Sequence, residues 1–253
     1  MTLRGILLLL LILLAARELP AQTPEQLFRQ ANQLYQQGKF TEARDAYGTI
    51  LGSGYESPEL LYNLGNACYK SGSIPSAILN YERARRLLPA DEDLRHNLQI
   101  ANMMITDRIE PTPRLFVWEY WDGIKNAFSL QGLTMTVYLL YLCLALIASV
   151  FFLSRTYALR KLATLAGSGF LVLFLFFLVV LIARLGDVTR TDEAIVLTQI
   201  VTVKNSPDAK SSDAFVLHGG VKVQIIDRVG TWSKVRLADG KVGWLEAASA
   251  EVI

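Results

Sequence analysis

Two long apolar runs constrain this chain more than any other feature. Residues 133–153 (LTMTVYLLYLCLALIASVFFL) and 162–183 (LATLAGSGFLVLFLFFLVVLIA) hold 21 and 22 residues without a single charge. At about 1.5 Å of helical rise per residue, either run covers the roughly 30 Å hydrocarbon core of a bilayer. Only 19% of the 253 residues are charged and 52% are hydrophobic, and the excess sits largely in these runs. A wholly water-soluble globular chain is therefore excluded. The connector 154–161 carries Arg155, Arg160 and Lys161 and no acid. Short basic connectors stay in the cytoplasm, so the expectation is a membrane hairpin with a cytoplasmic loop. Residues 22–132 and 184–253 then lie together on the exported side.

The N-terminus is expected to be a signal peptide over 1–21. Arg4 precedes the uncharged stretch Gly5–Ala16, which suits a signal's apolar region and is short for a span. Cleavage is expected after Ala21, with an uncleaved signal anchor as the alternative. Residues 111–132 form an aromatic juxtamembrane linker containing Trp118, Tyr120, Trp121 and Phe128. Such rings favour the headgroup zone, although a hydrophobic patch against the preceding domain is the competing reading. Within the runs, Ala145/Ser149 and Ala163/Gly167 are small residues four apart, which permits close helix contact.

Residues 22–110 show a period of 34. Pro24, Asn32, Tyr35, Gly38, Ala43 and Tyr47 recur as Pro58, Asn66, Tyr69, Gly72, Ala77 and Tyr81. The second copy adds Leu61, Leu64-Gly65, Ala84 and Pro89, and in this it resembles the tetratricopeptide repeat. Two repeats are expected, 24–57 and 58–91. A capping helix follows, opened by Asp91-Glu92-Asp93 and carrying Leu94, Leu98, Ala101 and Ile105. The resemblance implies a concave groove for a peptide segment of a partner, with Arg29, Asn32, Asn63, Asn66, Lys70 and Asn97 as candidate contacts. A clamp for a C-terminal carboxylate is disfavoured, because Phe28 stands where such clamps carry a lysine. Asparagine at the Asn32/Asn66 position also has a structural reading. The basic run Arg83, Arg85, Arg86 reads as a solvated helix face. The charges of 22–114 nearly cancel, so nucleic acid is not expected as a ligand.

From Glu193 short alternating runs take over. Ala194–Val203, Phe215–Leu217, Val221–Asp227, Ser233–Leu237 and Lys241–Leu245 read as five strands of a small all-β barrel. Ala238-Asp-Gly240 is a hairpin signal. Gly219-Gly-Val-Lys-Val, Trp232-Ser-Lys-Val-Arg-Leu and Asp239-Gly-Lys-Val-Gly-Trp244 resemble the bacterial SH3-like domain over 191–253. The resemblance implies peptide or cell-wall binding and marks Trp232 and Trp244 as the candidate surface, with core packing the preferred reading for Trp244.

No catalytic motif is present. His96 and His218 lack ligand-spaced partners such as HExxH, and Walker loops and GxSxG elbows do not occur. Cys68 and Cys143 fall in different segments and read as small buried apolar residues. The polar groups of the apolar runs are Thr, Ser, Tyr and Cys, too few and too weak for a transporter or intramembrane protease. No enzyme, cofactor or metal is expected.

The fold class expected is thus a multidomain membrane protein: an all-α tetratricopeptide-repeat domain, a two-helix transmembrane hairpin and an SH3-like barrel. That order, with Arg95-His-Asn-Leu-Gln-Ile-Ala101 and Asp107-Arg-Ile-Glu110 after the repeats, resembles the E-type proteins of the bacterial aerotolerance (Bat) operon family. The resemblance implies a non-catalytic inner-membrane scaffold linked to aerotolerance or envelope stress. Its implied partners are von Willebrand A-domain membrane proteins and a MoxR-type ATPase system. The alternative is a peptidoglycan-binding envelope anchor.

Overall fold

A computed structural model describes residues 23–253; the expected signal peptide lies outside them. The chain divides after Tyr55 into two compact units. In the first, helix α1 (Pro24–Gln36) is followed by α2 (Phe40–Gly52). Thr23 starts α1 with a reciprocal capping box to Gln26, and Pro24 occupies the first helical position, where no amide donor is needed. Gly38 reverses the chain at φ +76°. Ala31, Ala43, Tyr47 and Ile50 are buried between the helices, and the rings of Phe28 and Tyr47 lie 5.8 Å apart.

The second unit opens with the second helix pair, α3 (Pro58–Lys70) and α4 (Ile74–Leu87), then α5 (Glu92–Met103). Ser57 and Asp91 cap α3 and α5 by accepting from the amides of Leu60 and Leu94. A Cβ placed on Gly65 would lie 2.6 Å from the Tyr81 ring, so the glycine is what lets α3 and α4 approach. Leu94, Leu98 and Ala101 of α5 are buried, whereas Ile105, expected to continue their stripe, falls beyond the end of the helix.

Helix α6 (Phe116–Asn126) precedes two long helices, α7 (Leu130–Leu153) and α8 (Tyr157–Val188). In their most apolar windows 0% of α7 and 11% of α8 is buried. A core helix of a soluble protein would be covered, so both faces call for lipid. Gly167 sits against Ile147, where an added Cβ would stand 3.3 Å from its Cγ2. The non-helical connection is only Ser154–Thr156, because Tyr157–Lys161 contain no breaker and join α8. Arg160 and Lys161 therefore lie on the first turns of α8. At its other end α8 outlasts the uncharged run, adding Arg184 and Asp187. In α6 no residue is buried, and Phe116, Trp118 and Tyr120 are exposed.

The C-terminal module holds seven strands rather than the five expected. They are β1 (Glu193–Val196), β2 (Ile200–Lys204), β3 (Asp213–His218), β4 (Lys222–Val229), β5 (Trp232–Arg236), β6 (Val242–Glu246) and β7 (Ala250–Val252). All pairings are antiparallel, in the order β3-β2-β6-β5-β4-β1-β7. The expected run 194–203 breaks because the amides of Leu197 and Thr198 turn to the Ser249 carbonyl. That corner sends β1 to β4 and β7, and β2 to β3 and β6. Val196, Val203, Val235 and Leu245 are fully buried on one face. A single sheet encloses such a core by curling, which the bulges at Val203/Lys204 and Ile225/Asp227 assist.

Candidate functional site

The six groove candidates divide by what already holds them. In the first unit the Tyr47 hydroxyl donates to Asn32 Oδ1 at 2.5 Å, while Arg29 is exposed on α1. In the second unit Tyr81 donates to Asn66 Oδ1 at 2.7 Å, the same bond one period later. Asn97 Nδ2 donates to Asn66 Oδ1 (3.0 Å) and to the Tyr62 hydroxyl (2.9 Å), tying α5 to α3. Asn66 and Asn97 are thus brought together by bonds within the second unit. Asn63 is half-buried, and Lys70 is exposed in the last turn of α3.

On the barrel, Trp244 is 8% exposed, with Lys234 Nζ 5.6 Å from its ring centroid. That separation is within cation–π range. Trp232 is half-buried and stands opposite Glu246. The segment after α5 is not a free linker. Ile105 abuts Gly220, Ile109 packs against the barrel core, and the Thr112 amide donates to Ala238 O (3.1 Å). Asp107 takes the His218 backbone amide (2.7 Å) and pairs with His218 Nδ1 (2.9 Å). Together these contacts strap residues 105–112 to the barrel. His218 lines a cleft with Ser73, Ser76 and Gln199, yet its ring bonds Asp107 alone among the described residues. The carboxylate thus holds both the backbone and the ring of His218, and clamps this loop to the end of β3. Among the described residues no three His, Cys, Asp or Glu side chains gather as metal ligands.

The basic run on α4 is not a solvated face. Arg83 bonds Glu251 (2.8 Å) and the Val252 carbonyl (2.5 Å) of β7. Arg86 donates to the carbonyls of Arg190 (2.6 Å) and Ile253 and pairs with Glu193 at 3.2 Å. Arg85 pairs with Glu82 at 2.6 Å, and Lys222 reaches Glu82 (3.3 Å) and Glu193 (2.9 Å). Burial alone would raise the Glu193 carboxyl, but Lys222 and Arg86 more than offset it and hold it below the ordinary range. Arg190 holds the Asp192 carboxyl well below the ordinary carboxylate range through a paired hydrogen bond. Arg184 donates to the Arg86 carbonyl (2.6 Å), and Lys125 of α6 bridges Asp122 and Asp187. One charged junction thus ties the second repeat, α6, the end of α8 and the barrel together.

Sequence reasoning missed this junction because its partners stand some hundred residues apart, as Arg86 and Arg190 do (|i−j| 104). A cation directly after a 22-residue uncharged run was the available signal.

Residues 28–92 match the family model of the tetratricopeptide repeat, and residues 201–251 match that of the bacterial SH3 domain. No curated protein matches the chain. The chain therefore combines two modules of the interaction type with two helices long and apolar enough to cross a membrane.

Proposed function

We propose that this protein is a non-catalytic scaffold of the bacterial inner membrane. Its repeats face the exported side and take up a segment of a partner membrane protein. The observation that carries this reading is the charged junction, which joins the second repeat and the barrel to the end of α8. Such a joined unit suits holding a partner at a fixed height above a bilayer. The likeness to aerotolerance-operon proteins suggests von Willebrand A-domain membrane proteins, working with a MoxR-type ATPase, as the partners.

The exposed cations Arg29 of α1 and Lys70 of α3 are the positions to test, since replacing Asn66 or Asn97 would also break bonds to Tyr81 and Tyr62. Crosslinking in native membranes, followed by mass spectrometry, should recover a partner peptide on α1 or α3. Arg29→Ser with Lys70→Ser should reduce that recovery at unchanged protein level. Equal recovery from the double variant refutes the groove. Retention of the full chain on isolated sacculi, lost on changing Trp232, would instead establish the wall-anchor reading.

A further inference from the structure

A cavity of about 280 Å³ opens at the charged junction, between the end of α4, α6, the end of α8 and strands β1 and β4. Seven of its lining residues are Arg or Lys and three are Asp or Glu. Those three carboxylates are already spent. Asp122 and Asp187 hold Lys125 at 3.1 and 2.7 Å, with Arg114 also on Asp122 at 3.3 Å. Glu193 serves Arg86 and Lys222. Arg85 and Arg190 turn to Glu82 and Asp192, outside the lining.

Arg184 is left over. It is 3% exposed, forms no ion pair among the described residues, and its Nε is buried without a hydrogen-bond partner. Asp187 is one turn away on the same helix, but its carboxylate is committed to Lys125. A guanidinium carries five donors and a charge that does not titrate away. Burying it beside six other cations is costly unless an anion completes the site. Water could satisfy Nε but not the charge.

We infer that the Arg184 cavity binds a phosphate group. Arg184 is the first charged residue after the uncharged run of α8, which places the cavity at headgroup depth. Guanidinium forks match phosphate oxygens in pairs, and the carbonyl bond from Arg184 to Arg86 fixes the fork's direction. The two sources of such a group are the headgroup of an anionic phospholipid and free phosphate. The lipid source rests on the membrane reading above; the phosphate source does not.

The test uses the full chain in nanodiscs of phosphatidylcholine alone, the same with phosphatidylglycerol, and the first with inorganic phosphate added. Native mass spectrometry counts retained phosphatidylglycerol, and thermal unfolding reads stabilisation. The expected result is one retained phosphatidylglycerol and a higher Tm in the mixed discs. Arg184→Gln should weaken binding at least about thirtyfold, as loss of a buried charge partner does. Arg114→Gln, at an exposed rim position with 65% of its side chain accessible, should weaken it less and leaves the fold intact if Arg184→Gln does not. Stabilisation by inorganic phosphate alone, lost in the variants, assigns the site to free phosphate. No stabilisation by either probe, or binding equal in the wild type and both variants, overturns the inference.

Discussion

Replacing Arg86 by Met tests whether the junction holds the C-terminal strands. Met keeps the stem's packing and removes the guanidinium. The head donates to the carbonyls of Arg190 and Ile253, and its pairing with Glu193 is backed by Lys222 at 2.9 Å. Glu193 is therefore not orphaned, and the loss is chiefly that of two charged-to-neutral hydrogen bonds. Each is worth about 1.5–3 kcal/mol. The side chain is 11% exposed, so water recovers part of this, leaving roughly 2–4 kcal/mol. At about 1.4 kcal/mol per decade, amide protection should fall some 30- to 1000-fold. The reporters are amides of the β1–β7 pair and the Ile253 amide, which donates to Glu193 O at 3.0 Å. Hydrogen exchange with mass spectrometry on the full chain in nanodiscs reads them. Arg95→Met is the control: its pair with Glu92 spans 3.7 Å with 60% of the arginine side chain exposed, and it should cost about 0.5 kcal/mol or less. If β1 and β7 keep their protection within about threefold in Arg86→Met, the ion and hydrogen-bond geometry is not what secures the module.

Burial, with Tyr35 adding to it, pushes the Tyr47 phenol up from 10.0 to about 12. The unfolded chain would then ionise this residue first. Stability that is whole below pH 10 should decline by about 1.4 kcal/mol per unit up to pH 12, roughly 2.7 kcal/mol in all. The difference in tyrosinate absorbance between wild type and Tyr47→Phe checks this; a transition near 10 would contradict it. Asn66→Ala should cost about 2 kcal/mol, because Tyr81 loses this acceptor and Asn97 one of its two; Tyr81→Phe should cost nearer 1, since Asn97 still occupies Asn66 Oδ1. Exchange rates in α3 and α4 give the order, and the reverse order would disprove the network. Gly220→Ala meets both φ +98° and the side chains of Ile105 and Ile78, so it should destabilise by about 2–4 kcal/mol. Gly230→Ala, at φ +57° with open space around it, should cost only about 1 kcal/mol; thermal unfolding separates the two.

What the sequence made legible was whatever repeats or persists locally. The uncharged runs, the 34-residue period and the Asp239-Gly240 turn each carry their cause within a few residues. The structural reading of Asn32 and Asn66 was also available, and both accept from a tyrosine fifteen residues on. Long-range partners were not legible. Nothing near Asp107 announces that it will hold His218, and nothing near Arg86 names Arg190 or Ile253. The corner between β1 and β2 was hidden for a related reason. Ala194–Val203 is interrupted by Thr198-Gln199, a polar pair that a strand pattern also tolerates, so the change of partners there did not stand out. β7 is three residues long, too short for any alternation to register.

The junction also bears on topology, by a route independent of the connector's charge. Arg83 and Arg86 precede both long helices, and their partners Glu251, Val252, Arg190 and Ile253 follow both. Side chains can reach across that interval only if both ends emerge on the same face of the membrane. Where these helices cross a bilayer, the crossings must then be even in number, as two spans by α7 and α8 would be. A single crossing, with the second apolar helix lying flat, would put α4 and β7 on opposite sides of the bilayer and sever the junction. Arg155, Arg160 and Lys161 then decide only which face is shared, and short basic connectors favour the cytoplasm for themselves. In spheroplasts protease should reach the repeats and the barrel alike and spare the Ser154–Thr156 turn. Protection of one module but not the other would break the even-crossing argument, whereas protection of both would reverse the orientation and leave the junction standing.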